Sequence, residues 1–190
     1  MQESAVLDLF RRSGALLEGH FRLSSGLHSP GYLQCALVLR YPRDATALGA
    51  ALGERISALG ATHVLSPALG GIVIGQEVAR ALDVPALFAE RLEGTLTLRR
   101  GFTLQPSDRV LVVEDVVTTA GSTRETMHVA LAAGATVVGA CAIVDRSGGK
   151  HGLDLPFAAL LSLHLPLYTE ADCPMCKDGV AIVKPGSRRA

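Results

Sequence analysis

RVLVVEDVVTTAGSTRE, Arg109 to Glu125, runs four apolar residues (Val110 to Val113) into two adjacent acids, Glu114 and Asp115, and then into hydroxyl-bearing and small residues. A short unbroken apolar run is the pattern of a strand buried on both faces, as inside a parallel sheet. Two carboxylates at its end must lie where water or a ligand reaches them, because an ionised acid is not left unpaired in a core. Ser122 followed three residues later by Glu125 matches a capping box, which predicts a helix starting at Ser122. The loop Thr118, Thr119, Ala120, Gly121 then delivers the chain into a helix N-terminus, where unpaired N–H groups and a positive macrodipole suit a phosphate. Acids beside such a cradle would repel the phosphate on contact, so they serve another part of the same guest. Vicinal hydroxyls, as on a ribose, or Mg²⁺ held through water are the candidates. The predicted guest is a sugar phosphate.

Outward from this stretch, HVLSPA (63–68), ALFAER (86–91) and TVVGACAIVD (136–145) read as strands, with helices over 70–83 and 123–133. This βαβα succession predicts an α/β fold, a parallel twisted sheet flanked by helices, with ligands beyond the carboxyl ends of the strands. Upstream, a helix capped at Ser4, two extended segments within 20–39 joined by a Ser/Gly/Pro turn, and a helix from Asp44 to Leu59 are expected. LEGTLTLRRGF (92–102) reads as a hairpin or flexible loop.

The chain has 190 residues and no linker-like stretch, which predicts one domain over 1–190. Eighteen basic side chains balance eighteen acidic ones, so no bulk attraction to nucleic acid or an anionic membrane is expected. Apolar runs are too short to span a bilayer, and MQESAVLDLF lacks the basic-then-apolar layout of a secretory signal; a cytoplasmic protein is expected. The four cysteines are then expected reduced. CPMC (Cys173, Cys176) supplies half a zinc site, and the sequence offers no second half unless a symmetry partner brings one. The pair is read as a turn or an incidental thiol pair.

Ordinary nucleotide loops are excluded. Gly70 to Gly75, followed by Gln76 and Glu77, lacks the lysine of a Walker loop, and no GxGxxG occurs. VLVVEDVVTTAGS instead resembles the phosphoribosyl pyrophosphate (PRPP) signature of type I phosphoribosyltransferases: four apolar residues, two acids, two apolar residues, two threonines, a small residue, any residue, and Ser or Thr. The resemblance covers nearly the whole chain and is closest to the orotate-using members, in a compact bacterial branch. FRLSSGLHSPGYLQ (21–34) resembles their base-binding segment, SPALGGIVIG (66–75) their pyrophosphate loop, AIVDRSGG (142–149) their orotate-contacting segment, and CPMCKDGVAIVKPGSR (173–188) the tail of the branch.

This resemblance implies a Rossmann-like fold with a small hood built from the N-terminal and C-terminal segments. It implies transfer of the phosphoribosyl group from PRPP to orotate, giving orotidine 5′-monophosphate and pyrophosphate. It places the ribose hydroxyls on Glu114 and Asp115, and the 5′-phosphate on the turn Val116, Val117, Thr118, Thr119, Ala120, Gly121, Ser122. It places pyrophosphate on Leu69, Gly70 and Gly71, and orotate on Arg146, Thr118, Tyr32 and Ser24, with Ser25, Gly26 and His28 in the same turn. Mg²⁺ would arrive with PRPP, so no protein-held metal is expected. A homodimer is implied, with loop 91–101 reaching the neighbouring active site. The chain departs from the family pattern in having Ser24 and Gly70 where lysines are common, and Glu90-Arg91 where an Arg-Lys pair is common. Its loop also lacks the family's Lys and His. Arg91 is then the first candidate for the catalytic cation, ahead of Arg99 and Arg100. Two alternatives keep the same cradle: transfer to another base, or a PRPP-sensing regulator without catalysis.

Overall fold

The computed structural model describes residues 1–23 and 25–184; Ser24 and the end of the tail from Pro185 lie outside the described residues. Helix α1 (Glu3–Ser13) begins ahead of Ser4, with Gln2 at the cap position, so Ser4 is not the cap expected from its type. It stops at Gly14, whose φ of 72° ends a helix at little cost. Strands β1 (Leu16–Arg22) and β2 (His28–Leu33) form a two-stranded antiparallel sheet. After the single turn α2 (Ala36–Leu39), helix α3 (Pro42–Ile56) starts with proline in its first turn, where the missing N–H costs nothing. A 3-10 turn over Ser57–Leu59 ends at Gly60.

The remaining elements are β3 (His63–Pro67), α4 (Gly70–Leu82), β4 (Ala86–Leu92), β5 (Thr95–Leu98), β6 (Arg109–Val117), α5 (Gly121–Ala132), β7 (Thr136–Asp145), β8 (Phe157–Ser162) and the short α6 (Pro174–Lys177). The main sheet runs β5-β4-β3-β6-β7-β8, parallel except for the antiparallel β4–β5 hairpin. Strand β8 extends the expected sheet by one. Along β6 the side chains alternate: Leu111 and Val113 join the core under α3 and α4, while Val110 and Val112 join the clusters that hold Ala130 and Met127 of α5. Both faces are buried, and that accounts for the unbroken apolar run. Winding reverses between β3 and β6, so their carboxyl ends open a crevice suited to a ligand.

Packing of α3 on α4 depends on a missing side chain. A Cβ on Gly49 would overlap Glu77 Cβ and stand 2.7 Å from the Glu77 carbonyl carbon. Gly49→Ala is therefore expected to destabilise the fold by about 1–3 kcal/mol, since backbone cannot yield as a side chain tip does. Thermal melting should show a drop of about 2–4 °C per kcal/mol, with PRPP affinity unchanged. An unaltered melting temperature would mean that the two helices separate freely.

The N- and C-terminal segments join into a hood. Arg22 N–H donates to Val183 O at 2.9 Å, Val183 N–H to His20 O at 2.8 Å, and His28 and Tyr168 exchange two backbone bonds at 2.9 Å. The tail thus flanks the β1–β2 sheet on both edges. No helix among the described residues is long and apolar enough to cross a membrane.

Candidate active site

Strand β6 holds Glu114 and Asp115 in its carboxyl-terminal half, where both line the crevice. Glu114 is buried, and burial pushes its carboxyl up to about 7; the adjacent Asp115 charge adds to the rise, while the Ser122 hydroxyl, donating to Glu114 Oε1, opposes it. Asp115 is also raised, by burial first, against the Val116 N–H that donates to its Oδ1 at 2.9 Å. Burial thus favours the neutral forms of both acids, and hydroxyl donors or a positive charge brought by a ligand would favour their charged forms.

Beyond them the chain turns through Thr118, Thr119 and Ala120 into α5. Ala120 has φ 57°, the left-handed region, where alanine costs about 1 kcal/mol more than glycine would. The N–H groups from Thr119 to Ser122 have no backbone acceptor among the described residues, as the first turn of a helix requires. They form an anion cradle. Arg124 braces it from behind, donating to Thr119 O and His151 O, each at 2.6 Å.

The capping box is not formed. Helix α5 begins at Gly121 with Ala120 at the cap position. Ser122 spends its hydroxyl on Glu114, and Glu125 pairs with Arg91 at 2.9 Å. Both members of the expected box are taken by tertiary partners that local spacing does not reveal.

Across the crevice, the turn after β3 presents Pro67 to Gly71, with a cis peptide between Ala68 and Leu69 and Leu69 exposed. A Cβ on Gly70 would stand 2.9 Å from both carboxylate oxygens of Asp115, and one on Gly71 3.0 Å from Val113 O. Glycine at both positions lets the turn lie directly against the acids. The resulting cleft is lined by Pro67, Ala68, Gly70, Arg91, Leu96, Glu114, Asp115 and Ser122. Its chemistry is an anion cradle, an acidic wall and a guanidinium in one space.

Arg91 reaches that cleft, and its guanidinium also donates to Gly94 O at 2.6 Å. Arg100 is not simply solvated: it forks onto Glu90 at 2.6 and 2.9 Å, and this bond holds the Glu90 carboxyl below its usual range. Residues 92–98 are the β4–β5 hairpin at the sheet edge, turning at Glu93 and Gly94.

Arg146 follows β7, and its N–H donates to Val117 O at 2.8 Å, which sets it beside the cradle. Burial lowers its pKa, and its Nε has no hydrogen-bond partner among the described residues. Tyr32 sits on β2 against Phe21, ring centroids 5.9 Å apart. Neither Arg146 nor Tyr32 lines the acid-walled cleft, and Ser24 lies outside the described residues. His28 does not line the hairpin turn. It is buried, facing His20 and Cys176. Two histidines thus stand beside the CPMC thiols, and they come from the same chain. The sequence signal was a count, two histidines eight apart plus one CxxC, which spacing rules built on contiguous motifs do not join.

No family model matches the chain. The orotate phosphoribosyltransferase of Pelotomaculum thermopropionicum is 50% identical over 189 residues, covering 100% of each chain. That of Carboxydothermus hydrogenoformans is 52% identical over 183 residues, covering 95% of this chain and 96% of the relative. Among solved structures, orotate phosphoribosyltransferase from Aeropyrum pernix superposes with a TM-score of 0.67 at 26% identity, covering 83% of this chain and 93% of that one. With half of all positions identical along the full length of both chains, this chain belongs to the orotate phosphoribosyltransferase family.

Proposed function

We propose that the crevice between β3 and β6 carries out orotate phosphoribosyltransfer in pyrimidine nucleotide synthesis, with the roles below. The observation that carries the reading is the convergence on one cleft of Glu114 and Asp115, of Ser122 from the end of the cradle, of Gly70 from the glycine turn and of Arg91. A ring nitrogen of orotate bonds to C1 of PRPP and gives up its proton to solvent or to the leaving pyrophosphate, while the C1–O bond breaks and pyrophosphate leaves with the electron pair. Positive charge develops on the ribose and negative charge on the leaving group, so positioning and electrostatics supply the catalysis.

Glu114 and Asp115 accept the ribose hydroxyls and face the developing cation. The N–H groups and hydroxyls from Thr118 to Ser122, with Val116 and Val117 beneath, hold the 5′-phosphate. Leu69, Gly70 and Gly71 wrap the pyrophosphate with backbone N–H groups, and Arg91 meets its charge once released from Glu125. Arg146 and Thr118 take orotate from the sheet side and Tyr32 from the hood, with Ser24, outside the described residues, as a further orotate contact. The carboxylate oxygens at the cleft, left open by Gly70, suit a hard cation, and Glu114 and Asp115 would face Mg²⁺ arriving on PRPP. Bound Mg²⁺ neutralises and orients pyrophosphate. The unit is one domain over 1–190 acting in the cytoplasm as a homodimer, with loop 91–101 reaching the neighbouring site.

The test mixes protein, PRPP and Mg²⁺ with a panel of bases and follows orotate absorbance and pyrophosphate release. Turnover with orotate alone is expected. PRPP binding without turnover of any base would favour a sensor instead.

The pH dependence follows from Glu114. Its carboxyl rises from 4.5 to about 7 on folding, so its contribution to stability is fully present below the unfolded value and is lost as pH rises through about 7. The charged form is the one that faces the cation. kcat/KM for PRPP should therefore climb with pH and level off above an apparent pKa of about 7. PRPP's own phosphate titrates near about 6. Glu114→Gln should abolish only the enzyme's limb of the profile; an unchanged profile in that variant would remove the assignment.

A further inference from the structure

The PRPP chemistry leaves four side chains unused: His20 on β1, His28 on β2, and Cys173 and Cys176 around α6. Each offers one ligand atom, and these four atoms lie within 4.8 Å of one another. His20 Nε2 stands 2.9 Å from His28 Nδ1, 3.5 Å from Cys173 Sγ and 3.7 Å from Cys176 Sγ, and Cys176 Sγ stands 3.3 Å from His28 Nδ1. Tetrahedral zinc with ordinary Zn–N and Zn–S bonds has edges of about 3.3 Å (N–N), 3.6 Å (N–S) and 3.8 Å (S–S). The three N–S spacings, 3.3, 3.5 and 3.7 Å, straddle their edge, and the N–N spacing of 2.9 Å is somewhat shorter than its own. A set this tight leaves room for one ion rather than a cluster.

Protons alone do not account for the arrangement. His20 Nδ1 lies 2.8 Å from Val180 O, and a carbonyl only accepts, so that nitrogen carries a hydrogen. The neutral ring then has a single lone pair, on Nε2, with His28 Nδ1 and two thiols crowded about it. One lone pair serves one donor well. His28 Nε2 has no partner among the described residues, so that ring's polar contacts all run through Nδ1 into the cluster. A divalent cation engages all four atoms together. The bond to Val180 O is the kind of outer-shell contact that fixes a ligating histidine's tautomer.

The backbone is shaped for the same purpose. A register shift in β1 between Glu18 and Phe21, with Gly19 at φ 154°, lets His20 and Phe21 both turn inward, where plain alternation would expose one. CPMC folds into α6, with Lys177 N–H donating to Cys173 O at 3.2 Å, which brings Cys173 and Cys176 onto one side.

We propose that His20, His28, Cys173 and Cys176 bind a single structural Zn²⁺ that latches the C-terminal tail to the β1–β2 hairpin. Mixed thiolate and imidazole donors in a closed tetrahedron select zinc over hard cations. Binding exchanges two thiol protons for the metal, so two protons leave as two Zn–S bonds form. The need is physical. An isolated two-stranded sheet is marginal in water, and the tail buries little, since Val180, Ile182 and Val183 are about half exposed. Metal binding supplies local folding energy that apolar burial does not.

The experiment measures metal content of the full-length protein, freed of any affinity tag, by inductively coupled plasma mass spectrometry, together with melting in the presence of a zinc chelator. Stoichiometric zinc is expected, with a lowered melting temperature on chelation that added Zn²⁺ restores. Co²⁺ exchange should give thiolate-to-metal charge-transfer absorption. Cys176→Ser and His28→Ala should each lower zinc affinity by roughly tenfold or more, the scale of losing even an outer-shell partner. Cys141→Ala, a buried cysteine remote from the cluster in the chain, should keep its zinc. Wild-type protein without zinc that also refuses Co²⁺ would overturn the proposal, as would full zinc retention in both ligand variants. If the variants fail to fold, the wild-type metal content and the reversible melting shift still decide. Neither readout depends on turnover, so this result is separate from the proposed catalytic roles.

Discussion

Asp115→Asn is expected to lower kcat by about 10²- to 10³-fold, the scale of removing one preorganised electrostatic group, about 2.7–4 kcal/mol. The amide has nearly the same size and can still accept the Val116 N–H, which Asp115 Oδ1 now takes at 2.9 Å, so the turn keeps its shape. It removes the negative charge that faces the ribose when C1 becomes cationic. The loss therefore belongs to the transition state and appears in kcat more than in PRPP binding. Steady-state kinetics with PRPP titrated by calorimetry separates the two. A kcat within a few fold of wild type would mean that Asp115 merely lines the cleft. A comparable fall in PRPP affinity would recast it as a binding residue.

Arg146→Ala should raise the KM for orotate by about 10- to 100-fold, the loss of one or two charge-assisted hydrogen bonds at about 1.5–3 kcal/mol. Burial already disfavours its charge, and Nε finds no partner among the described residues, so the guanidinium is costly where it sits unless an anion completes it. Orotate is a planar anion whose carboxylate matches the guanidinium fork. PRPP affinity should hold, because Arg146 meets the cradle's strand only through its backbone N–H, donated to Val117 O, which the substitution keeps. Arg146→Lys should recover only part of the loss, since an ammonium cannot reproduce the two-pronged geometry. Equal losses for orotate and PRPP would remove the arginine from the base.

The crevice was legible because its parts are local. Val110 to Val113 announce a strand buried on both faces by composition alone; the acids that follow still belong to that strand, which runs on to Val117, and the hydroxyls and small residues after it occupy one continuous turn. The same locality misled at Ser122 and Glu125. Their spacing fits a cap, but Glu114 and Arg91, brought close only by folding, bind them more strongly. Strand β8 went unread because FAALLS is short and does not alternate, so its apolar run has no period of its own. It becomes a strand by pairing with β7.

By itself the sequence determined the alternation of strands and helices, the carboxyl-end position of Glu114 and Asp115, and the phosphate cradle, since each rests on side-chain order within a few residues. Tertiary structure alone decided two things. It decided which hydroxyl and which guanidinium restrain the acids and their neighbours, because a buried carboxylate takes whichever donor the packing brings. It also decided that His20 and His28 meet Cys173 and Cys176, because His20 and Cys173 are 153 positions apart and converge only when the tail returns along the hairpin.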